Sequence, residues 1–201
     1  YFYGASYDLG VDRIHDFMKP WGFGQLTGID LPDEQPGLLP SSTWKQQRFK
    51  QPWYPGETPS IGIGQGYNAF TILQLAHATA TLANDAIVQR PHLVTHIGTV
   101  SPDTSSDTRS GRPLPVARQY VQLVQRAMAD VNRKGTARIA FQGAEYESAG
   151  KTGTAQVIGI RQNEKYDEKK VAQHFRDHSL YMGYAPVENP RIALAMVVEN
   201  G

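Results

Sequence analysis

Residues Glu147–Val157 have the sequence ESAGKTGTAQV, which is the most informative segment of this chain. Its centre, Lys151-Thr152-Gly153-Thr154, is a basic and hydroxylic segment at the start of an alternating, β-branched run. That pattern predicts a strand over about residues 149–158. Two further strand-like segments follow, at about 179–185 and 191–199. Three strands at the end of the chain predict an antiparallel sheet.

The earlier part of the chain has helical patterns instead. Apolar spacing predicts a short helix over Val11–Lys19, a buried helix over Ile72–Leu82 with Thr71 as its N-cap, and a helix over Val116–Val131 that stops at Gly135. Residues 21–66 are rich in Gly and Pro, which predicts long irregular connections with one helical turn near Trp44.

These patterns predict an α+β fold in which helices are segregated from an antiparallel sheet. Residues 1–140 form a mostly helical part with long loops, and residues 149–199 form the sheet. We also expect a strand over His92–Val100 and a surface loop over Ser101–Pro115, which has a polar composition.

The composition excludes several classes of function. A formal net charge of +1 argues against a large basic surface for nucleic acid. The absence of cysteine excludes disulfides and thiolate metal sites. His92 and His96 lie in strand-like sequence, where a spacing of four residues separates side chains too far for one metal, so we predict no cofactor. No apolar run is long enough for a membrane helix, and the first and last residues resemble the ends of a piece of a longer protein.

The segment Lys151–Thr154 has four possible interpretations. A phosphate-binding loop requires Gly six residues before the Lys and a helix after it, but position 145 is Glu and a strand pattern follows. The segment could also be an ordinary strand start with an exposed Lys. The remaining two are the K-T-G motif of serine enzymes that recognise penicillin and a non-catalytic binding module of the same fold.

The chemistry of the segment favours ligand recognition. On a strand, Thr152 and Thr154 share one face while Lys151 points to the other. Two hydroxyl groups on one face can both bond a substrate carboxylate, and a nearby ammonium favours the negative charge. Gly153 leaves room for a ligand backbone, so an extended peptide could add to this strand.

Several further stretches extend this pattern over almost the whole chain. GFGQLTGIDLP, SIGIGQGYNAFTILQLAHATATLAND, KGTARIAF, AGKTGTAQV and DHSLYMGYAP occur in this order. Together they resemble the class B penicillin-binding proteins, and TWKQQRFKQPWYPGETPSIGIGQG favours the subgroup that acts in cell elongation.

The resemblance implies a peptidoglycan D,D-transpeptidase with the α/β sandwich of the penicillin-recognising serine enzymes. Its substrates would be peptidoglycan stem peptides, and β-lactams would acylate it through a serine. It also implies a rod-complex glycan polymerase and scaffold proteins as partners, and a place at the periplasmic face of the inner membrane. The alternative is a sensor of β-lactams or muropeptides that uses the same fold without catalysis.

The resemblance also assigns roles at the K-T-G motif. Lys151 belongs to the proton network, Thr152 and Thr154 bind the carboxylate beside Gly153, and the Thr154 amide is one oxyanion donor. The nucleophilic Ser of S-x-x-K and the S-x-N/D motif would precede Tyr1, so this chain alone is expected to be inactive. Sheet strands from that preceding part would flank the last strand, which would otherwise be an unpaired edge.

Two segments of the chain imitate the absent motifs. Ser42-Thr43-Trp44-Lys45 fits S-x-x-K and Ser105-Ser106-Asp107 fits S-x-D, in the expected order. Both are in polar, loop-like sequence, whereas a nucleophilic Ser requires a buried helix start, so we predict that neither takes part in catalysis. His77 lies on a buried helix and is predicted to be a hydrogen-bonded core residue.

Overall fold

A computed structural model describes residues 1–94, 111–157 and 171–201. Within these ranges the helices and strands, in chain order, are α1 (Phe2–Leu9), α2 (Val11–Met18), α3 (Ser42–Phe49), α4 (Thr58–Ile61), α5 (Ile72–Ala83), β1 (Ile87–Val88), β2 (Arg112–Pro113), α6 (Arg118–Arg133), β3 (Ala149–Ala155), β4 (His178–Ala185) and β5 (Ile192–Val198). The α+β fold is as predicted.

The three late strands form one antiparallel sheet in the order β3-β4-β5. Thr152 lies opposite Tyr181, and Tyr181 lies opposite Met196. The two short strands β1 and β2 form a separate antiparallel pair. The predicted segments 179–185 and 191–199 therefore match β4 and β5 to within about a residue.

Helices α5 and α6 cover one face of this sheet. Ala83, Met128 and Ala129 pack with Ala149 and Tyr184 in a buried cluster. Burial of this apolar surface is the main favourable contribution to docking the helices on the sheet. The face that Ala149 and Tyr184 share is therefore the helix-covered face of the sheet.

Helix α5 begins where the sequence places its N-cap. The Thr71 hydroxyl accepts a hydrogen bond from the Gln74 amide, and the Gln74 side chain accepts one from the Thr71 amide. This reciprocal pair satisfies two amides that would otherwise lack partners in the first turn. Gln74 is fully buried. Its side-chain amide donates to the carbonyls of Gln25 and Pro36 in the preceding loops, so this buried polar group is satisfied.

The structure corrects the prediction for residues 21–66. An eight-residue helix, α3, replaces the single turn expected near Trp44. The Ser41 hydroxyl caps it by accepting from the Trp44 amide at 3.0 Å. The helix has few apolar residues, so its periodicity is weak. The Trp44 ring packs on Tyr67 and Lys45 is buried, and a sequence pattern does not reveal these contacts.

The segment 92–115 also differs from the prediction. His92–Val94 are not part of a strand, and residues 95–100 lie outside the described residues. Of the predicted loop 101–115, residues 101–110 also lie outside them, while Arg112–Pro113 form β2. The pairing of β2 with β1 brings together Val88 with Arg112 and Ile87 with Pro113, 24 and 26 positions apart, which local composition does not encode.

The exposed edge of the sheet is apolar at β5. Among the described residues β5 pairs with β4 alone. The side chains on the face opposite the helices are exposed: Ile192, Leu194, Met196 and Val198. In the ranges that the structure describes, no helix has the length and apolar character that a membrane crossing requires.

Candidate functional site

Strand β3, which contains the K-T-G segment, is an edge strand. In the described part of the chain its one neighbouring strand is β4. The Thr154 carbonyl accepts a hydrogen bond from the Gln65 side chain, which lies outside the sheet. The amide and carbonyl of a strand residue project to the same side, and this side is shared by residues two apart. The main-chain groups of Thr152 and Thr154 therefore point to the open edge.

The side chains of the segment divide between the two faces as predicted. Thr152 lies opposite Tyr181 and Thr154 opposite Ser179, while Lys151 lies opposite Met182. Opposed residues of an antiparallel pair share a face, so the two Thr side chains lie on one face and Lys151 on the other. Lys151 is exposed, and its ammonium donates to the Thr152 carbonyl at 2.5 Å.

Thr136 joins this site from the turn after α6. Its hydroxyl lies 2.8 Å from the Thr152 hydroxyl. The turn is tight because the Gly135 amide bonds to the carbonyls of Asp130 and Val131. A Cβ at Gly135 would lie 2.8 Å from the Val131 backbone, so Gly is required there. The stretch KGTARIAF contains Thr136 and contributed to the sequence-based prediction, which assigned no role to this residue.

Gln65 joins the site from the loop after α4. Its side-chain amide donates to the Thr154 carbonyl at 2.5 Å. The loop backbone is fixed separately: the Gln65 amide bonds to the Ser60 carbonyl at 2.9 Å, and the Asn68 side chain donates to the carbonyls of Ile61 and Gln65. Sequence reasoning also missed Gln65, which lies 89 residues before its partner.

The same loop packs against α1. A Cβ at Gly62 would lie 2.1 Å from the Ser6 side chain, so the loop backbone approaches α1 as closely as a residue without a side chain allows. Ser6 is buried there, and its hydroxyl donates to the Tyr3 carbonyl at 3.0 Å. The loop therefore spans the space between α1 and the open edge of β3.

An ion pair between the buried Lys45 and the partly exposed Glu57 anchors the segment before α4. Lys45 of α3 is only 2% exposed, and its ammonium donates to both carboxylate oxygens of Glu57. It also lies 4.4 Å from the centre of the Tyr54 ring, and the Tyr67 hydroxyl donates to Glu57 at 3.3 Å. These contacts attach the loop to α3 on both sides of α4.

The surroundings of Glu57 keep it ionised. Burial disfavours the carboxylate, but hydrogen bonds from the Lys45 ammonium and the Tyr54 amide outweigh this, and the pKa of Glu57 is lowered. The negative charge of Glu57 offsets the desolvation cost of the buried Lys45 ammonium.

The structure corrects the reason for which Ser42 was set aside. Ser42 does lie at a helix start, and its Lys45 is buried, so the segment is not a polar loop. The Ser42 hydroxyl, however, donates to Asp12 at 2.6 Å, while the Lys45 ammonium is bound by Glu57. In this arrangement Lys45 is not a base for Ser42. The other imitation, Ser105-Ser106-Asp107, lies outside the described residues.

Tyr181 supports the start of β3 from the Thr face. Its side chain lies over Gly150 and Gly183, where an added Cβ would lie 2.0 and 2.8 Å from the phenol oxygen. The buried Asn132 side chain donates to the Tyr181 hydroxyl at 2.9 Å and to the Ser148 hydroxyl at 2.9 Å. Burial raises the pKa of Tyr181, so its hydroxyl stays protonated. These bonds tie the end of α6 to the strand.

The histidines do not assemble a metal site in the described ranges. No group of three or more His, Asp or Glu side chains there could hold an ion. One ring nitrogen of His77 contacts the Gln89 carbonyl at 2.8 Å, whereas the other is buried without a hydrogen-bond partner. The prediction of a hydrogen-bonded His77 is therefore correct for one nitrogen.

Comparisons with known proteins agree with this geometry. The family model described as the penicillin binding protein transpeptidase domain matches residues 1–201. The peptidoglycan D,D-transpeptidase MrdA of Escherichia coli K12 is 40% identical over 214 residues, which cover 100% of this chain and 32% of that protein.

Solved structures show the same relationship. A crystal structure of Pseudomonas aeruginosa PBP2 in complex with WCK 5153 is 41% identical, with a TM-score of 0.84, and the match covers 100% of this chain and 42% of that one. A complex between PBP2 and MreC from Helicobacter pylori is 30% identical, with a TM-score of 0.82, covering 100% and 34%. The chain thus spans about a third of the length of the MrdA protein that it matches.

Proposed function

Because this chain belongs to the penicillin-binding protein transpeptidase family, we propose that it forms the substrate-recognising part of a peptidoglycan D,D-transpeptidase. The observation that supports this most is the open edge of β3. It presents two hydroxyl side chains on one face, a lysine on the other, and the main-chain groups of Thr152 and Thr154 along the edge. This arrangement suits an extended peptide that ends in a carboxylate.

In the proposed reaction, a serine outside these 201 residues attacks the penultimate D-Ala carbonyl of a stem peptide. The peptide bond breaks, the terminal D-Ala leaves as the amine, and an ester to the serine forms. An amine of a second stem peptide then attacks the ester, which forms the cross-link and returns the serine hydroxyl. A β-lactam undergoes only the first step, acylation of the serine, because its opened ring stays attached and no leaving group departs.

The residues of this chain act on that substrate without themselves becoming acylated. The hydroxyl groups of Thr152 and Thr154 bind the terminal carboxylate, and the absence of a side chain at Gly153 lets the peptide approach. The Thr154 amide points to the open edge together with its carbonyl, so it is placed to donate to the oxyanion of the tetrahedral intermediate. The Lys151 ammonium adds positive potential and takes part in the proton network.

The wider setting of the protein follows from the same family. We propose stem peptides and β-lactams as its ligands, a glycan polymerase and a scaffold protein as its partners, and the periplasmic face of the inner membrane as its location. The scaffold proposal is supported by the matched PBP2 of Helicobacter pylori, whose structure is a complex with MreC. A non-catalytic sensor has no comparable support, since the matched curated relative is a D,D-transpeptidase.

Labelling with a fluorescent penicillin tests this proposal. We expect the complete protein to be labelled, and Lys151→Ala to slow labelling by about 100-fold or more, because a positioned acid–base group contributes at least that factor. Lys19→Ala is the matched control, since Lys19 is also exposed but lies outside the site, and it should label at the wild-type rate. Unchanged labelling of Lys151→Ala, with both variants folded, would refute the role of Lys151.

A further inference from the structure

Side-chain donors occupy two adjacent outward carbonyls of β3. The Lys151 ammonium donates to the Thr152 carbonyl and the Gln65 amide donates to the Thr154 carbonyl, each at 2.5 Å. Edge strands in soluble proteins are often blocked in this way, because unpaired main-chain groups would otherwise pair with another chain. Here the blocked edge is also the one on which the proposed peptide substrate would lie.

A peptide that adds to β3 needs these same acceptors. In an antiparallel or parallel ladder, an N–H of the added strand donates to each outward carbonyl of the edge strand. While the Gln65 side-chain amide donates to the Thr154 carbonyl, the N–H of an incoming peptide finds this acceptor already hydrogen-bonded. Ligand binding therefore includes the displacement of that donor.

We propose that Gln65 is an internal competitor for the Thr154 carbonyl and thereby sets the affinity of the peptide site. This rests on the proposed function. Ligands whose main-chain N–H replaces the Gln65 amide recover the hydrogen bond, whereas ligands without such an N–H leave the carbonyl unpaired when they push Gln65 aside. Gln65 thus weakens the binding of every ligand that covers the Thr154 carbonyl, and a ligand with an amide donor regains the lost hydrogen bond.

The surroundings of Gln65 allow this exchange. Its side chain is half-exposed, and the bond to Thr154 is the contact that it makes across the cleft. The backbone of Gln65 is held independently, by the Ser60 carbonyl and by the Asn68 side chain. The side chain can therefore rotate away from β3 while the loop stays in place.

Lys151 differs from Gln65 in this respect. Its bond to Thr152 joins neighbours in sequence, so it is a local contact of an exposed and flexible side chain. The Gln65 bond instead connects a separate loop to the strand across 89 residues. Of the two donors, Gln65 is therefore the one whose removal opens the cleft without altering the K-T-G segment itself.

The test uses the complete protein and a peptide that competes with a fluorescent penicillin. The peptide is diacetyl-L-Lys-D-Ala-D-Ala, and its partner is the same peptide with every main-chain amide N-methylated. Gln65→Met keeps the length of the side chain but cannot donate. Gln35→Met is the matched control, since Gln35 is exposed and its amide donates to the Asp33 carbonyl at 3.2 Å, outside the site.

We expect Gln65→Met to lower the inhibition constant of the unmethylated peptide by about three- to ten-fold, the value of one competing hydrogen bond. The constant of the methylated peptide should be higher than that of the unmethylated one in every variant, but Gln65→Met should lower it by a similar factor, because Gln65 must leave for either ligand. Gln35→Met should match the wild type with both peptides. Gln65→Ala should act in the same direction as Gln65→Met.

Two results would overturn the proposal. If Gln65→Met leaves the binding of the unmethylated peptide unchanged, Gln65 does not compete for the carbonyl. If it weakens both peptides, Gln65 supports the site instead of competing with its ligand. Failure of the proposed function is a separate outcome, since the wild-type protein would then not be labelled by penicillin at all.

Discussion

The hydroxyl groups of Thr136 and Thr152 lie 2.8 Å apart and join the turn after α6 to the K-T-G strand. Each hydroxyl has one proton, so one of the two donates and the other accepts. When Thr136 donates, the proton of Thr152 is directed to another acceptor. A ligand carboxylate at the Thr face is such an acceptor, and Thr136 is then a positioning residue for it.

Thr136→Val should weaken carboxylate recognition, because Val has the same shape but cannot donate to Thr152. We expect the inhibition constant of a peptide with a free terminal carboxylate to rise about three- to ten-fold in the competition assay. The same peptide with an amidated terminus should be unaffected, and Thr136→Ser should restore wild-type binding. An equal loss for both peptides would indicate that Thr136 serves the fold instead.

The pair Lys45–Glu57 should respond unequally to removal of its members. Glu57→Gln leaves a charged ammonium that is 2% exposed, whereas Lys45→Met leaves a carboxylate that is 26% exposed and can be hydrated. We expect Glu57→Gln to lower the free energy of unfolding by about 3 kcal/mol or more, and Lys45→Met to lower it by about 1–2 kcal/mol.

Chemical denaturation measures both values, and the exposed pair Arg133–Glu147 provides the control. Glu147→Gln should change the free energy of unfolding by about 0.5 kcal/mol or less, because surface ion pairs contribute little. A greater loss in Lys45→Met than in Glu57→Gln would contradict the assignment of Lys45 as the less hydrated member.

The stabilising effect of the Glu57 carboxylate should disappear in acid. Burial opposes ionisation, but the Lys45 ammonium and the Tyr54 amide outweigh it, so the folded pKa lies below the usual 4.5. A lowered folded pKa means that the contribution is complete above about pH 4.5 and is lost as the pH falls through the folded pKa. The difference in unfolding free energy between wild type and Glu57→Gln should therefore shrink below pH 4.5. A difference that stays constant or grows there would contradict this.

Glu34 should behave in the same way for a different reason. Its burial also opposes ionisation, but the Thr27 hydroxyl and the amides of Thr27 and Gly28 donate to the carboxylate, and the pKa of Glu34 is lowered. Both carboxylates lie in the loop-rich part of the chain between α2 and α5, so acid should loosen that part before the sheet. Hydrogen exchange at pH 3 and pH 7 compares the two parts.

The 201-residue polypeptide studied by itself should self-associate through β5. Its outward edge is unpaired among the described residues, and the exposed Met196 lies in a row of exposed apolar side chains. Met196→Lys places a charge in that row and should raise the monomer fraction in light scattering. Leu26→Lys, at a similarly exposed apolar position in a loop, is the control. A monomeric wild-type polypeptide would contradict the prediction.

The sequence predicted the sheet and the two long helices because their patterns are local. Strand-like composition predicts β4 and β5, whereas β3 ends at Ala155, before the Gln156 and Val157 of the alternating run. The Thr71 cap with an apolar run specifies α5. One helical turn was predicted near Trp44 instead of the full helix α3, because its contacts are distant in sequence: the partner of Lys45 is twelve residues away, and a lysine in sequence alone indicates an exposed side chain.

The same limit applies to the site. Lys151, Thr152, Gly153 and Thr154 are contiguous, so one motif names them. Thr136 and Gln65 reach the strand from a turn 16 residues away and a loop 89 residues away. Both residues lie in stretches that resemble the family, KGTARIAF and SIGIGQGYNAF. The resemblance therefore points to these stretches, but it does not show which side-chain atom contacts β3.

In the proposed function this chain recognises the substrate, and the nucleophile belongs to a part of the protein outside these 201 residues. Peptide mapping of the complete protein after incubation with benzylpenicillin tests this most directly, together with Ser42→Ala. We predict one acylated serine, in a peptide outside these 201 residues, and full acylation of Ser42→Ala, since the Ser42 hydroxyl is bound to Asp12. An acylated peptide that contains Ser42, absent from the Ser42→Ala variant, would show instead that the nucleophile lies within this chain.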